Sequence, residues 1–230
     1  MTGIICAMEI ELEKILLVTE NKEETVISGK KYIKGSICGK NIVASVSGVG
    51  KVNAAICAQS MILRFSPNII INSGVAGGLS DTIATTDIVI ADKVVQHDID
   101  MTPVGKNPGY IIGLDTVEIK CDKKITDALC RSVKKLGIHY ETGTIASGDQ
   151  FINGGEKVKY IKTVFNASAT EMEGAAIGQV CALNNVPFCV LRSISDKADS
   201  VSHIDNQTFE KIASENSAGA IIGFIEDYAQ

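Results

Sequence analysis

Tryptophan is absent from this sequence, proline occurs 4 times, and aromatic residues make up 5% of it. With so little proline beside 21 glycines, the chain reads as one of many tight turns, not an extended linker. Basic charge is also short. The 22 Lys and Arg against 27 Asp and Glu leave a net charge of −5, and no segment forms the Lys/Arg stripe that a phosphate backbone demands. Nucleic acid is therefore excluded as a partner. No uncharged apolar run approaches the ~18 residues of a membrane span, and MTGIICAMEIELEKILL lacks the positive start of a signal peptide. The 7 cysteines are odd in number, scattered and free of any CxxC pair. They read as free thiols filling core positions in a reducing cytoplasm. His97, His139 and His203 have no partners at ligand spacing, so no metal and no cofactor is expected. What remains, 45% hydrophobic over 230 residues, suffices for a real core and is too apolar for disorder. An enzyme or a small-molecule binder is left.

Short apolar runs alternate with helical patterns along the chain. Residues 4–8 read as a first strand, followed by a helix from about Glu9. Residues 31–38 and 41–47 flank Gly39 as a hairpin, and a helix follows over 51–65. PNIIINSG is an unbroken apolar run of the kind buried on both faces of a sheet, and 87–96 and 186–194 read likewise. Ile125, Leu129, Val133 and Leu136 repeat at helical spacing up to Gly137, a C-cap. A strand over 138–146 and helices over 175–184 and 206–228 complete the pattern. The alternation predicts one α/β domain over 1–230, three-layered, with a mixed, mostly parallel central sheet.

Ligands in such sheets bind beyond the carboxyl ends of the strands, where this chain places MEIE, SGVG, NSGVAGGLSD, SGDQFING, TEMEG and RSISDKAD. Glu9 and Glu13 share one helical face and read as a solvated acidic turn. Glu11 points roughly 200° away from Glu9, beside Met8 and Ile15, and a carboxylate on an apolar face needs a partner or a task. Arg192 lies inside an apolar strand and needs a carboxylate, from Glu11 or from TEMEG. Glu171 and Glu173 read equally well as convergent acids or as a favourable helix start. Asp196 stands where its strand runs out, and an N-cap is its ordinary alternative. GVGKVN and GVAGG match neither a Walker A loop nor a dinucleotide fingerprint, so their glycines are read as letting backbone approach a ligand. His97 and His203 read as surface or supporting residues.

In order along the chain, GIICAMEIELE, SGVGKVNAA, INSGVAGGL, SGDQFI, EMEGAAI and RSISDKAD resemble the 5′-methylthioadenosine/S-adenosylhomocysteine nucleosidases of the purine nucleoside phosphorylase-like superfamily. The resemblance implies hydrolysis of the N-glycosidic bond of both nucleosides, with 5′-deoxyadenosine as a further substrate, in methionine salvage and adenosylhomocysteine recycling. It makes Asp196 the acid for adenine N7 and Glu11 the base for water, with Arg192 holding that site. Glu173 would bind the ribose hydroxyls, Met172 the sugar face, Phe151 the adenine ring and the Ile152 backbone the adenine edge. Gly77, Val49, Val75 and Ser195 would line the site. The resemblance also implies a homodimer in which Met101, Val104 and Ile112 close the neighbour's 5′ pocket. Several relatives carry serine at Val75 and an aromatic near Asn206. A phosphorylase, a futalosine hydrolase and a catalytically silent nucleoside binder are the rival readings. Glu11, and arginines limited to Arg64, Arg131 and Arg192, speak against a phosphate dianion.

Overall fold

A computed structural model describes residues 1–198 and 206–228, the side chains of residues 206 and 207 excepted. His203 and the Asn206 side chain lie outside what is described. The first half of the chain folds as β1 (Thr2–Cys6), α1 (Glu9–Leu17), β2 (Glu20–Ile27), β3 (Lys30–Ile37), β4 (Lys40–Val46), α2 (Lys51–Phe65), β5 (Ile69–Gly78) and β6 (Ile88–Gln96). After a single 3-10 turn at Thr102–Val104 come β7 (Ile119–Lys120), α3 (Lys123–Lys135), β8 (Tyr140–Ser147), α4 (Gly155–Phe165), β9 (Ala167–Glu171), α5 (Gly174–Leu183), β10 (Phe188–Asp196) and α6 (Asn206–Asp227).

One mixed sheet runs in the order β10-β6-β8-β9-β5-β1-β4-β3-β2 and closes on itself, because β10 also pairs β5. Its longest ladders, β10 with β5 and β6 with β8, are parallel. Alternation along the strands builds a core on each face. Ile5, Val43, Ile70 and Val190 meet α2 and α5, while Ile4, Ile42, Ile71 and Leu191 meet α1, α3 and α6. Each such side chain contributes ~1.5–3 kcal/mol on burial. The helix α3 starts at Asp122, whose carboxylate accepts the N–H groups of Lys124 at 2.9 Å and Ile125 at 3.1 Å. It stops at Gly137, at φ +70°.

The structure differs from the sequence reading in four places. The first strand ends at Cys6, because Met8 caps α1 instead of extending β1. Strand β5 continues through GVAGG, since β10 holds it in register as far as Asp196 opposite Gly77. Four elements, β2, β7, α4 and β9, had not been anticipated. His97, read as a surface or supporting residue, is buried against Gly148, which removes the surface alternative. Its neighbour Asp98 accepts from Lys51 Nζ at 2.6 Å and from the Asp149 N–H at 2.9 Å, behind the SGDQ turn.

Candidate active site

The carboxyl ends of β1, β5, β9 and β10 surround a cleft of about 240 Å³. Glu11 lies at its floor, 2% exposed. Placed by the third residue of α1, its carboxylate turns back towards the helix start. Oε2 accepts the N–H groups of Ala7 at 2.8 Å and Met8 at 2.9 Å, and Oε1 accepts that of Val75 at 2.9 Å. Gly74 makes the space, for a β-carbon there would stand 2.8 Å from Glu11 Cδ. This glycine admits a carboxylate, not a ligand as the sequence reading had it. Burial pushes the Glu11 carboxyl up, and Arg192 together with the backbone N–H groups pulls it partly back. A base of this kind is stronger than a free carboxylate and already aimed.

Arg192, on β10, is 1% exposed. Its Nη2 donates to Glu171 Oε2 and, at 2.6 Å, to Asn72 Oδ1, and stands 3.6 Å from Glu173 Oε2. The TEMEG pair therefore supplies its counter-charge, and Glu11 feels it only through space. The two TEMEG carboxylates have separate surroundings. Glu171 also accepts from Ser147 Oγ and from the N–H groups of Glu173 and Gly174, so it caps α5 and is fully engaged. Among the described residues, Glu173 accepts one hydrogen bond, from the Gly50 N–H at 2.8 Å, and it borders the cleft. Its carboxyl is pushed up to about 7, chiefly by burial and next by the Glu171 charge, against the pull of Arg192. Three buried carboxylates thus face one guanidinium, and a Glu173 carboxyl pushed up to about 7 can hold a proton near neutrality.

Asp196 ends β10 and borders the same cleft. Its Oδ2 accepts from Ser195 Oγ at 2.9 Å and its Oδ1 from the Ala198 N–H at 2.7 Å. It caps a turn, not a helix. Gly77 lies against it, 3.3 Å from Oδ1 to a β-carbon built on the glycine. Val75, Met172 and the buried Ile152 line the same cleft, with Val49 and Phe151 at its mouth, Phe151 78% exposed. Met101, Val104 and Ile112 are not among the residues lining it; they occupy the loop around Thr102–Val104, where Val104 and Ile112 are exposed.

The model of the phosphorylase superfamily matches residues 2–226. A 5′-methylthioadenosine/S-adenosylhomocysteine nucleosidase of Shewanella halifaxensis is 38% identical over 226 residues, 97% of this chain and 98% of that one. The chain belongs to that nucleosidase family. The crystal structure of the Neisseria meningitidis nucleosidase with methylthio-immucillin-A superposes with a TM-score of 0.95 at 33% identity, covering 99% of each chain. A futalosine hydrolase of Helicobacter pylori superposes with a TM-score of 0.94 at 33% identity, covering 99% of this chain and 97% of that one.

Against this nucleosidase frame, sequence reasoning brought Glu11, Arg192, Glu173 and Asp196 to one place. It missed three residues. Gly74 could have been found by asking what admits a buried Glu11. Met8 lines the cleft from the start of α1, next to the acid already singled out. Glu210, on α6, also lines it, and nothing in TFEKIAS marks it.

Proposed function

We propose that this protein hydrolyses the N-glycosidic bond of 5′-methylthioadenosine and S-adenosylhomocysteine, releasing adenine and the 5-substituted ribose. The observation that carries the mechanism is one cleft bordered by both a backbone-clamped buried Glu11 and Asp196. Asp196 gives its proton to adenine N7, so the base departs neutral. Glu11 takes a proton from the water that attacks the oxocarbenium-like anomeric carbon. Glu173 accepts from the ribose hydroxyls, Met172 lies under the sugar, Phe151 covers the adenine ring and the Ile152 backbone meets its edge. Arg192 keeps the crowded carboxylates from repelling one another. Among the described residues, no lysine or arginine lines the cleft, and Glu11 would repel a phosphate dianion, which favours water over phosphate.

The whole chain, 1–230, acts as one catalytic domain, working as a homodimer in the cytoplasm. Val52 and Leu63 on α2 and Val104 and Ile112 in the loop are exposed apolar residues, a liability on a monomer. In the dimer the loop with Met101, Val104 and Ile112 closes the 5′ pocket of the other copy. Among the described residues no helix is long and apolar enough to cross a membrane. The test is a substrate panel of both nucleosides and futalosine, with and without phosphate. Adenine and a free thioribose, independent of phosphate, are expected. A ribose 1-phosphate would overturn hydrolysis, and turnover of futalosine alone would move the enzyme to its neighbour's activity. Full activity in a strictly monomeric protein, read by sedimentation, would refute the shared pocket.

A further inference from the structure

One carboxylate in the cleft has neither a part in the reaction nor a partner among the described residues. Glu210 lines the cavity and is half-buried, and no hydrogen bond or ion pair joins it to another described residue. Its position follows from the helices. Near the end of α6, Lys40 Nζ donates to the carbonyls of Glu226 at 3.0 Å and Tyr228 at 2.8 Å. Lys40 begins β4, which runs parallel to β1, so α6 ends at the sheet edge away from the cleft. It therefore runs in the same direction as α1, and Lys14 Nζ reaches the Glu215 carbonyl at 3.4 Å between them. Met8, at the start of α1, and Glu210, in the first turns of α6, both line the cavity. On the proposed binding mode, Phe151, Ile152 and Asp196 engage the base and Glu173 the ribose. The wall formed by Met8 and Glu210 is then left for the 5′ substituent.

We infer that Glu210 sets specificity at this wall, its carboxylate holding an ammonium group on the 5′ chain. S-adenosylhomocysteine carries such an ammonium on its thioether chain, and 5′-methylthioadenosine ends in a methyl group. The cleft therefore favours the former. The amino acid's carboxylate has no lysine or arginine to meet among the described lining residues, so it turns out to solvent at the mouth. The surplus of carboxylates in the cleft also draws cationic chains towards it.

This inference rests on the nucleosidase reading, and its test separates the two. The probes are 5′-(3-aminopropylthio)adenosine and 5′-butylthioadenosine, which differ by an ammonium in place of a methyl group at the chain end. They are compared, together with S-adenosylhomocysteine and 5′-methylthioadenosine, in the wild type and in Glu210→Gln. In the wild type the aminopropyl compound should have the higher kcat/KM, by about 5-fold, the scale of a partly screened charge pair. The substitution should erase that ratio and lower the S-adenosylhomocysteine to 5′-methylthioadenosine ratio by a similar factor. Added salt should shrink the wild-type ratio. Because only ratios are read, a general loss of activity in the variant cancels. A wild type that releases adenine from all four but does not discriminate within the probe pair would overturn the inference and leave the nucleosidase reading intact. Equal ratios in wild type and variant would do the same. No adenine release from any of them would remove the reading beneath it.

Discussion

At the floor of the cleft, Glu171 is fully engaged and Glu11 is held by three backbone N–H groups, all inside a shell of sheet. At the mouth, Phe151 leaves 78% of its surface in solvent and Glu210 waits without a described partner. The floor resembles a protein interior in which charges are fixed before substrate arrives, so little reorganisation is needed when charge develops. The mouth resembles a binding surface, whose side chains gain their contacts only from a ligand or a second subunit. Changes at the floor should therefore cost turnover, and changes at the mouth should cost affinity or selectivity.

The sharpest break in that contrast comes from the acid and the base. Glu11→Gln and Asp196→Asn should each lower kcat by ~10²–10⁴-fold, with nucleoside binding retained, as measured by steady-state kinetics and calorimetry. Near-normal turnover in either would move that role elsewhere. Gly74→Ala should follow at ~10–10²-fold in kcat. Its new β-carbon displaces the Glu11 carboxylate without touching the mouth, so a pure KM effect would contradict the division.

Glu173 sharpens the comparison through stability. In the fold its carboxyl titrates at about 7, against an ordinary value of 4.5. The proton that the fold retains stabilises it fully below pH 4.5, and that stabilisation is lost as pH rises through about 7. Thermal melts of ligand-free wild type should thus decline over this window. Glu173→Gln should flatten that decline, and an unchanged slope would show that the carboxyl is already ionised. The smallest effect belongs to the mouth. Phe151→Ala should raise KM by roughly 2- to 10-fold through lost ring contact, with kcat moved far less.

Much of this site could be read from the sequence because burial leaves a periodic trace. Glu11 betrayed itself by phase, sharing a helical face with Met8 and Ile15, and Arg192 by standing in an apolar strand. The residues that escaped lack such a trace. Strand β2, ENKEETVI, is almost wholly exposed and so shows no alternation. Strand β9 is only five residues of small and polar type, ASATE, and shows no apolar alternation. Helix α4 did carry a signal, with Val158, Ile161 and Phe165 at helical spacing, and the sequence reading passed over it. Ring closure through β10 and β5 joins segments more than a hundred residues apart, and no local pattern encodes it.

That closure also bears on how the protein behaves when crowded. Strands β5, β9, β8, β6 and β10 form a ring without a free edge, so their backbone groups offer no template to a neighbouring chain. The long open edge of the sheet falls to β2. Glu20, Lys22, Glu23 and Glu24 are exposed there, and the ladder with β3 is interrupted between Glu20 and Glu23, where Asn21 takes φ +52°. Charge and an irregular backbone at the same place deter edge-to-edge stacking. The polarity that hid β2 from the sequence reading is thus what keeps this sheet from growing into its neighbours.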